Sequence, residues 1–314
     1  MRIALLVLGS ALCFTLSAPA PALAQSGDDG YRTAAQLGAG YNVSANLTYL
    51  TASGRDLKLD VYQPWPSKAA TPVVLNFHGG GWVAGSREGD ILHLLPYMQM
   101  GFAVVNVEYR LAKTALAPAA VEDTLCALQW VGRNAKRFNF DLGKVVTTGG
   151  SAGGHLALAT AMIPSDSPFT NQCAANDSWS GPYANAAPKV AAVINWFGIT
   201  DVADMLQGPN VRSYAVAWFG TMDGRVELAR RLSPLSHVRK DGPAVLTIHG
   251  DADPLVPYAH ALRLQQAMDK AGEKNQLFTI KGGGHGGFAP EQHQQAFQTV
   301  RSFLREQGIT APAK

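Results

Sequence analysis

A serine flanked by glycines, between a predicted strand and a predicted helix, is the feature that most constrains this chain of 314 residues. Residues 149–153 read Gly-Gly-Ser-Ala-Gly; they follow the apolar run 144–148 and precede the helix-forming stretch 155–162. Only small neighbours fit beside a serine on so sharp a turn. The chain has 32 glycines, so the pentapeptide alone could arise by chance. Its position between two elements predicts that Ser151 is a nucleophile projecting from the edge of a sheet.

Strands and helices alternate along most of the chain. Hydrophobic runs bounded by turn residues predict strands at 57–62, 73–77, 102–109, 144–148, 190–196, 244–249 and 276–280. Apolar residues at helical spacing predict helices at 90–100, 119–138, 155–162, 258–271 and 291–306. This alternation predicts an α/β fold with a mostly parallel central sheet and helices on both faces.

Two segments interrupt the alternation and suggest a small lid. Residues 164–188 are rich in Ser, Asn, Pro and Gly, and residues 201–242 hold short helical pieces between two strands. Both leave the sheet at its C-terminal edge, where the walls of active sites are built. We therefore predict one catalytic domain over 45–306 with a lid insertion, a loose polar leader over 25–44 and a short tail over 307–314.

The N-terminal 24 residues have the pattern of a cleaved signal peptide. Arg2 supplies a positive start, residues 3–16 an apolar run, and residues 22–24 an Ala-Leu-Ala cleavage site. The run is too short to span a bilayer comfortably, and no other segment approaches transmembrane length. The sequence predicts export to the periplasm or the medium, with no membrane span.

Two cysteines remain after the signal peptide, Cys126 and Cys173. In an oxidising compartment such an even pair favours one disulfide, which would tie the helix before Ser151 to the irregular segment after it. Two free buried thiols are the alternative.

Composition argues against several classes of partner. The net charge is only +3, and no basic run suggests nucleic acid. No His-Glu-x-x-His motif and no paired-cysteine spacing occur, so we predict neither a metal nor any other cofactor.

A serine nucleophile needs a base, and His285 is the candidate. It lies in residues 282–288, Gly-Gly-Gly-His-Gly-Gly-Phe, just after the last predicted strand. Glycines on both sides let the loop bring an imidazole over the sheet edge, and the order Ser, Asp, His requires a late histidine. A flexible glycine-rich loop with an incidental histidine is the alternative.

The carboxylate that orients the base should follow the strand at 244–249. Asp251 and Asp253 both qualify by position. Asp253 lies further into the loop and is better placed to reach His285, whereas Asp251 is suited to capping the turn through its own backbone. We favour Asp253.

Donors for a developing oxyanion are predicted from two places. One is the N–H of Ala152, next to the nucleophile. The other is residues 78–82, His-Gly-Gly-Gly-Trp, where Gly80 and Gly81 can aim their amides inward. A phosphate-binding loop is the rival interpretation, but the Lys-Ser/Thr that it needs is missing. Several aromatic residues could form either core or pocket wall; we predict that Trp82 contacts substrate because it adjoins these glycines.

Together these motifs resemble the α/β-hydrolase superfamily, over residues 45 to 306. More narrowly, they resemble the group with the hormone-sensitive-lipase-like esterases and the bifunctional acetyl-xylan and feruloyl esterases. The resemblance assigns the nucleophile to Ser151, the acid to Asp253 and the base to His285. Lipase-like members usually carry Asp where this chain has Gly150, so the elbow is closer to the acetyl-xylan/feruloyl esterase type.

These observations predict an exported serine carboxylesterase that hydrolyses short-chain or carbohydrate-linked esters through an acyl-enzyme. An amidase, formamidase or peptidase-like hydrolase with the same triad is the first alternative. A non-catalytic binding protein that kept the fold is the second.

Overall fold

The computed structural model describes residues 24–67, 69–175 and 187–312. Except for Ala24, the predicted signal peptide lies outside these residues, as does most of the second half of the predicted lid segment 164–188. The chain divides into two compact units, with the boundary between Gly38 and Ala39.

The segment predicted as a loose leader, 25–44, is regular instead. Helix α1 occupies Ala24–Gly40, and strand β1 occupies Tyr41–Ala52. Strand β1 begins at Tyr41 because it pairs antiparallel with strand β2, Arg55–Pro64, from Tyr41 opposite Pro64 to Ala52 opposite Arg55. The Tyr41 hydroxyl also donates hydrogen bonds to the carbonyls of Met98 and Phe102. The sheet therefore starts earlier than predicted.

The remaining strands and helices follow in near-strict alternation. In chain order they are β3 (Thr71–Phe77), α2 (Ile91–Gln99), β4 (Ala103–Val107), α3 (Ala119–Phe138), β5 (Phe140–Gly150), α4 (Ala152–Met162), α5 (Asn171–Ala175), β6 (Val190–Trp196), α6 (Ser213–Phe219), α7 (Arg225–Leu232), β7 (Ala244–Gly250), α8 (Ala259–Ala271), β8 (Asn275–Ile280) and α9 (Pro290–Glu306).

One sheet contains the eight strands of the described chain, in the order β1-β2-β4-β3-β5-β6-β7-β8. Strand β2 is antiparallel to both its neighbours, and every other pair is parallel. All residues of β3, β4 and β7 are buried, as expected for strands covered on both faces. The predicted α/β-hydrolase fold is confirmed.

Helices cover both faces of the sheet. Helices α3, α4 and α8 lie on one face, and α2 and α9 on the other, where Tyr97 and Phe297 pack edge to face. Neighbouring threonines of β5 show the two faces directly. Thr147 donates to the carbonyl of Ala157 in α4, whereas Thr148 lies 3.0 Å from the Tyr97 hydroxyl of α2. In the part of the chain that the structure describes, no helix combines the length and hydrophobicity needed to cross a bilayer.

The segment 201–242, called the lid segment below, lies between β6 and β7 and contains α6 and α7. Its Trp218 is fully buried, and the Trp218 carbonyl accepts a hydrogen bond from the amide of Ala117. The lid segment is therefore packed into the body of the domain.

Candidate active site

Ser151 lies on the turn between β5 and α4 with φ +58° and ψ −120°. Such a backbone conformation is costly for a residue other than glycine and is typical of functional sites. The residues two positions before and after Ser151 must be glycine, because a methyl group on Gly153 would lie 1.9 Å from the carbonyl oxygen of Phe77, and one on Gly149 would lie 2.4 Å from the same atom. The amide of Ser151 donates to the carbonyl of Trp196. The turn is thus fixed by close packing against β3 and β6.

His285 lies within hydrogen-bond distance of both Ser151 and Asp253. Its Nε2 is 2.8 Å from Ser151 Oγ, and its Nδ1 is 2.7 Å from Asp253 Oδ2. An ionised carboxylate can only accept, so Nδ1 carries the proton and Nε2 is left to accept the hydroxyl proton of Ser151. The structure therefore brings the three residues predicted as nucleophile, base and acid into one hydrogen-bonded triad.

Asp253 is held ionised by the loop that carries it, residues 251–257, called the acid loop below. Its Oδ1 accepts hydrogen bonds from the amides of Leu255 at 2.8 Å and Val256 at 2.9 Å. Burial alone would raise the pKa of this carboxyl, but hydrogen bonds from His249, His285 and the Val256 amide hold it well below its usual range. The side chain is closed to solvent.

Asp251, the other candidate acid, has a different position. Its Oδ1 accepts a hydrogen bond from the amide of Gly282 at 2.6 Å, and its own amide donates to the carbonyl of Ile280. Asp251 thus ties the acid loop to the start of the loop that carries His285. The preference for Asp253 over Asp251 agrees with this geometry.

Residues 78–82, called the oxyanion loop below, run beside the nucleophile. A methyl group on Gly79 would lie 3.1 Å from the carbonyl oxygen of Gly150 and 3.8 Å from Ser151 Cβ. Gly80 and Gly81 have φ values of +111° and +60°, which residues other than glycine rarely adopt. Ala152 is the first residue of α4. Its N–H group has no acceptor within the helix, because the N–H groups of the first helical turn have no preceding carbonyl to bond. These amides are the ones predicted to stabilise an oxyanion.

Trp82 does not have the position predicted for it. The ring is fully buried, stacks on Trp218 with centroids 4.2 Å apart, and donates from Nε1 to His155 Nδ1 at 3.2 Å. Its φ of +61° directs the side chain into the core. The structure corrects the prediction that Trp82 contacts substrate, because no part of the ring is accessible.

Phe197 is the aromatic residue that reaches the triad. It follows β6 with φ +41°, and its ring lies edge-on to the His285 imidazole with centroids 4.8 Å apart. A methyl group on Gly150 would lie 3.2 Å from this ring, and one on Gly286 would lie 3.4 Å from it. The glycine at position 150 therefore leaves room for Phe197.

Tyr214, at the start of α6, was not predicted from sequence. A methyl group on Gly81 would lie 2.8 Å from Tyr214 Cβ, so this side chain rests against the oxyanion loop. Its hydroxyl donates to the carbonyl of Leu255 in the acid loop at 3.3 Å. Burial raises the pKa of Tyr214 to about 12, so the hydroxyl remains a donor at neutral pH. Tyr214 thus connects the two loops that flank the triad.

The structure joins Cys126 of α3 and Cys173 of α5 in a disulfide with the Cα atoms 5.1 Å apart. The pair is the one predicted from sequence. Within residues 24–67, 69–175 and 187–312, no group of three or more His, Cys, Asp or Glu side chains is arranged to hold a metal ion.

Comparison with known proteins gives consistent results. The profile of the BD-FAE family matches residues 59–268, and that of the TAP-like proteins (Abhydrolase_4) matches residues 225–313. Esterase LipQ of Mycobacterium tuberculosis is 26% identical over 262 residues, which is 80% of this chain and 59% of LipQ. The chain spans about half to three fifths of the length of the curated relatives LipQ, LipM and LipC.

Solved structures resemble the chain over almost their whole length. A truncated carbohydrate esterase from gut microbiota is 30% identical with a TM-score of 0.69, covering 85% of this chain and 96% of that one. Propionate-bound esterase Est2 from Thermogutta terrifontis is 26% identical with a TM-score of 0.71, covering 88% and 97%.

The fold and the Ser-His-Asp geometry define the class as an α/β-hydrolase. Within that class, the chain belongs to the BD-FAE family.

Proposed function

We propose that the protein is an exported serine carboxylesterase that hydrolyses short-chain or carbohydrate-linked esters through an acyl-enzyme. The observation that carries the proposal is the unbroken hydrogen-bonded series from Asp253 through His285 to Ser151, with separations of 2.7 and 2.8 Å. This series makes a serine hydroxyl, otherwise a weak nucleophile, reactive at neutral pH.

Acylation begins when Ser151 Oγ attacks the carbonyl carbon of the ester and its proton passes to His285 Nε2. The negative charge that develops on the carbonyl oxygen meets the N–H groups of Gly80, Gly81 and Ala152. One such donor typically contributes a factor of about 10²–10³ in kcat. His285 then gives its proton to the departing alkoxide, which leaves as the alcohol.

Deacylation repeats these steps with water. His285 Nε2 takes a proton from the water as its oxygen attacks the acyl carbon, and the same amides stabilise the second tetrahedral intermediate. When that intermediate collapses, Ser151 recovers its proton from His285 and the carboxylic acid leaves. Throughout, Asp253 keeps the proton-bearing Nδ1 of His285 in place and stabilises the imidazolium.

The substrate class is supported by relatives and by the lid segment. One similar structure is described as a carbohydrate esterase, and another holds propionate, the acid of a short-chain ester. The lid segment of this chain is short and packed into the domain. Its residue Tyr214 lies between the oxyanion loop and the acid loop. Such a site suits small, soluble acyl groups.

Export is supported by the N-terminal pattern and by the Cys126–Cys173 disulfide, which is typical of oxidising compartments. Expression of the full chain in a Gram-negative host tests it. We expect mass spectrometry of the periplasmic or secreted protein to find Gln25 at the N-terminus. Accumulation of the uncleaved chain in the cytoplasm would contradict export while leaving the chemistry open.

Activity is tested with p-nitrophenyl acetate, butyrate and hexanoate beside acetylated xylan, methyl ferulate and matched anilides. We expect ester turnover that falls on the order of 10⁴–10⁶-fold in Ser151→Ala and His285→Ala. Ser302→Ala and His93→Ala are matched controls, because both side chains are exposed, on α9 and α2. Preferential turnover of the anilides would favour an amidase.

Labelling with a fluorophosphonate separates a catalyst from a binding protein. We expect a stoichiometric adduct that peptide mapping locates on Ser151. A folded protein that forms no adduct and turns over none of the esters would contradict the proposal.

A further inference from the structure

A second histidine lies against the same carboxylate oxygen of the triad as His285 does, Asp253 Oδ2. His249 is the second-to-last residue of β7, just before the acid loop, and its side chain is fully buried. Its Nε2 lies 3.2 Å from Asp253 Oδ2 and 3.0 Å from the carbonyl oxygen of Val256. Neither the triad nor the oxyanion donors account for this residue.

The proton on the His249 ring can be placed from these contacts. Both atoms facing Nε2 are acceptors, so Nε2 must carry the hydrogen and share it between them. In the described chain Nδ1 has no hydrogen-bond partner. The opposite tautomer would bury an unpaired Nδ1–H and turn a nitrogen lone pair toward two oxygens.

With this tautomer, the Asp253 carboxylate faces four N–H groups, about the number that it can accept. Oδ1 accepts from the amides of Leu255 and Val256, and Oδ2 accepts from His285. The fourth group is the Nε2–H of His249, which bonds to the Val256 carbonyl and lies 3.2 Å from Oδ2. Since the Asp253 side chain is closed to solvent, water cannot readily replace a donor that is lost.

The His249 ring is itself held on several sides. The backbone of His249 is paired with Thr279 of β8 in the parallel register of the sheet. The acid loop then turns back, so that the Val256 carbonyl meets the ring, and Tyr258 lies edge-on with centroids 5.7 Å apart. The donor that faces Asp253 is therefore anchored to a buried strand, whereas Asp253 itself sits on a loop.

We propose that His249 is a positioning residue for the reaction: its Nε2–H fixes the Asp253 carboxylate in the orientation that aligns Oδ2 with His285 Nδ1. The inference rests on the proposed function, because it assigns His249 an effect on the Ser151 chemistry. Loss of this donor frees the carboxylate to turn, so His285 is less often in the position that accepts the Ser151 proton.

Three variants of the full chain test this. In His249→Gln the side-chain amide can reach the position of Nε2 and donate to Asp253, in His249→Asn the amide is too short, and His249→Leu has no donor. With p-nitrophenyl acetate, we expect kcat to fall ten- to a hundredfold in the Leu and Asn variants, as for outer partners of catalytic groups. KM should change less than twofold, and the Gln variant should stay within about threefold of wild type.

The rate of inactivation by paraoxon gives a second readout that does not depend on deacylation. It should follow kcat across the three variants. In a His285→Ala background, His249→Leu should cause no further loss, because the two residues act through the same step.

The possible results separate this proposal from the proposed function. Absence of Ser151-dependent ester turnover in the wild type would refute the proposed function itself. If the wild type is active, unchanged kcat in a folded His249→Leu variant would overturn only the role of His249. Should the Leu variant not fold, equal kcat in the Gln and Asn variants would overturn it. Failure of the Gln variant to fold would also overturn it, assigning His249 to stability alone.

Discussion

The indole N–H of Trp82 donates a hydrogen bond to Nδ1 of His155 across 3.2 Å, which connects the oxyanion loop to the helix that follows the nucleophile. His155 Nε2 lies 2.9 Å from the carbonyl of Leu232, so Nε2 carries the proton and Nδ1 is free to accept. Both rings are buried. The two segments that hold the predicted oxyanion donors are thus connected by one hydrogen bond inside the core.

Replacing Trp82 by Phe should keep an aromatic ring beside Trp218 while removing this donor. The His155 acceptor would then be buried and unpaired, at a cost of about 1–3 kcal/mol in the free energy of unfolding. We also expect kcat to fall, with KM for small esters little changed. Urea unfolding and steady-state kinetics measure both. The control is Trp65→Phe, since Trp65 is 61% exposed; equal stability of the two variants would contradict the role given to the contact.

Gly81→Ala should lower kcat on the order of 10²–10³-fold, the effect of losing one oxyanion donor. The new methyl group would lie 2.8 Å from Tyr214 Cβ, and the φ of +60° is strained for alanine, so the loop must shift. Gly89→Ala is the matched control, because no atom lies within 4 Å of its added methyl group. Kinetics on p-nitrophenyl acetate decide the matter, and near-normal kcat in Gly81→Ala would exclude this amide from the site.

Truncation of Tyr214 should extend the range of acyl groups. Its side chain rests against Gly81, and its hydroxyl reaches the acid loop, so Tyr214→Ala opens space between the two loops. Each further methylene that becomes buried is worth about 0.8 kcal/mol, roughly fourfold in kcat/KM. We expect the ratio of hexanoate to acetate turnover to rise in Tyr214→Ala and to stay constant in Tyr214→Phe. An unchanged ratio in the alanine variant would place the acyl group elsewhere.

Stability should decrease as the pH falls from about 6.5 to about 4. Burial lowers the pKa of His155 to about 4, whereas the unfolded chain has the ordinary histidine pKa of about 6.5. Between these values the unfolded state binds the extra proton, so the free energy of unfolding falls by up to about 3 kcal/mol. The pKa of His260, lowered to about 4 by burial and by Arg263, adds an effect of the same sign.

Denaturant titrations at pH 7 and pH 4.5 test this dependence. A His155→Gln variant should lose part of it, whereas His93→Gln, at a largely exposed position, should keep it. The same change in stability between pH 7 and pH 4.5 in wild type and His155→Gln would contradict the effect assigned to His155.

The residues of the triad could be predicted for two reasons. The backbone beside the nucleophile has a conformation that requires glycines, and the three residues occur in a fixed order along the chain. Gly153 and Gly149 are required because an added methyl group would lie only 1.9 or 2.4 Å from the Phe77 carbonyl oxygen. Glycine is a signal that the sequence shows directly. The loops of β3, β5, β7 and β8 then meet at one edge of the sheet, which follows from parallel strand order.

The features that could not be predicted from the sequence depend on single backbone angles or on contacts between residues far apart in the chain. Trp82 has φ +61°, which turns its ring into the core, and nothing in its residue type marks that angle. Tyr214 reaches the site from the lid segment without any local motif. Strand β1 has two register shifts and a positive φ at Asn46, which disrupt the alternation that would have predicted a strand. His249 did have a signal, four residues before Asp253 in a buried strand.

The stacking of Trp218 on Trp82 has a consequence for how substrate enters. Since Trp218 of the lid segment and Trp82 of the oxyanion loop form one buried aromatic pair, displacement of the lid segment would disturb the loop that we propose to bind the oxyanion. We therefore expect substrate to reach the site without movement of the lid segment. For the same reason we expect no interfacial activation, the sharp rise in rate that lid-gated lipases show when their substrate forms droplets.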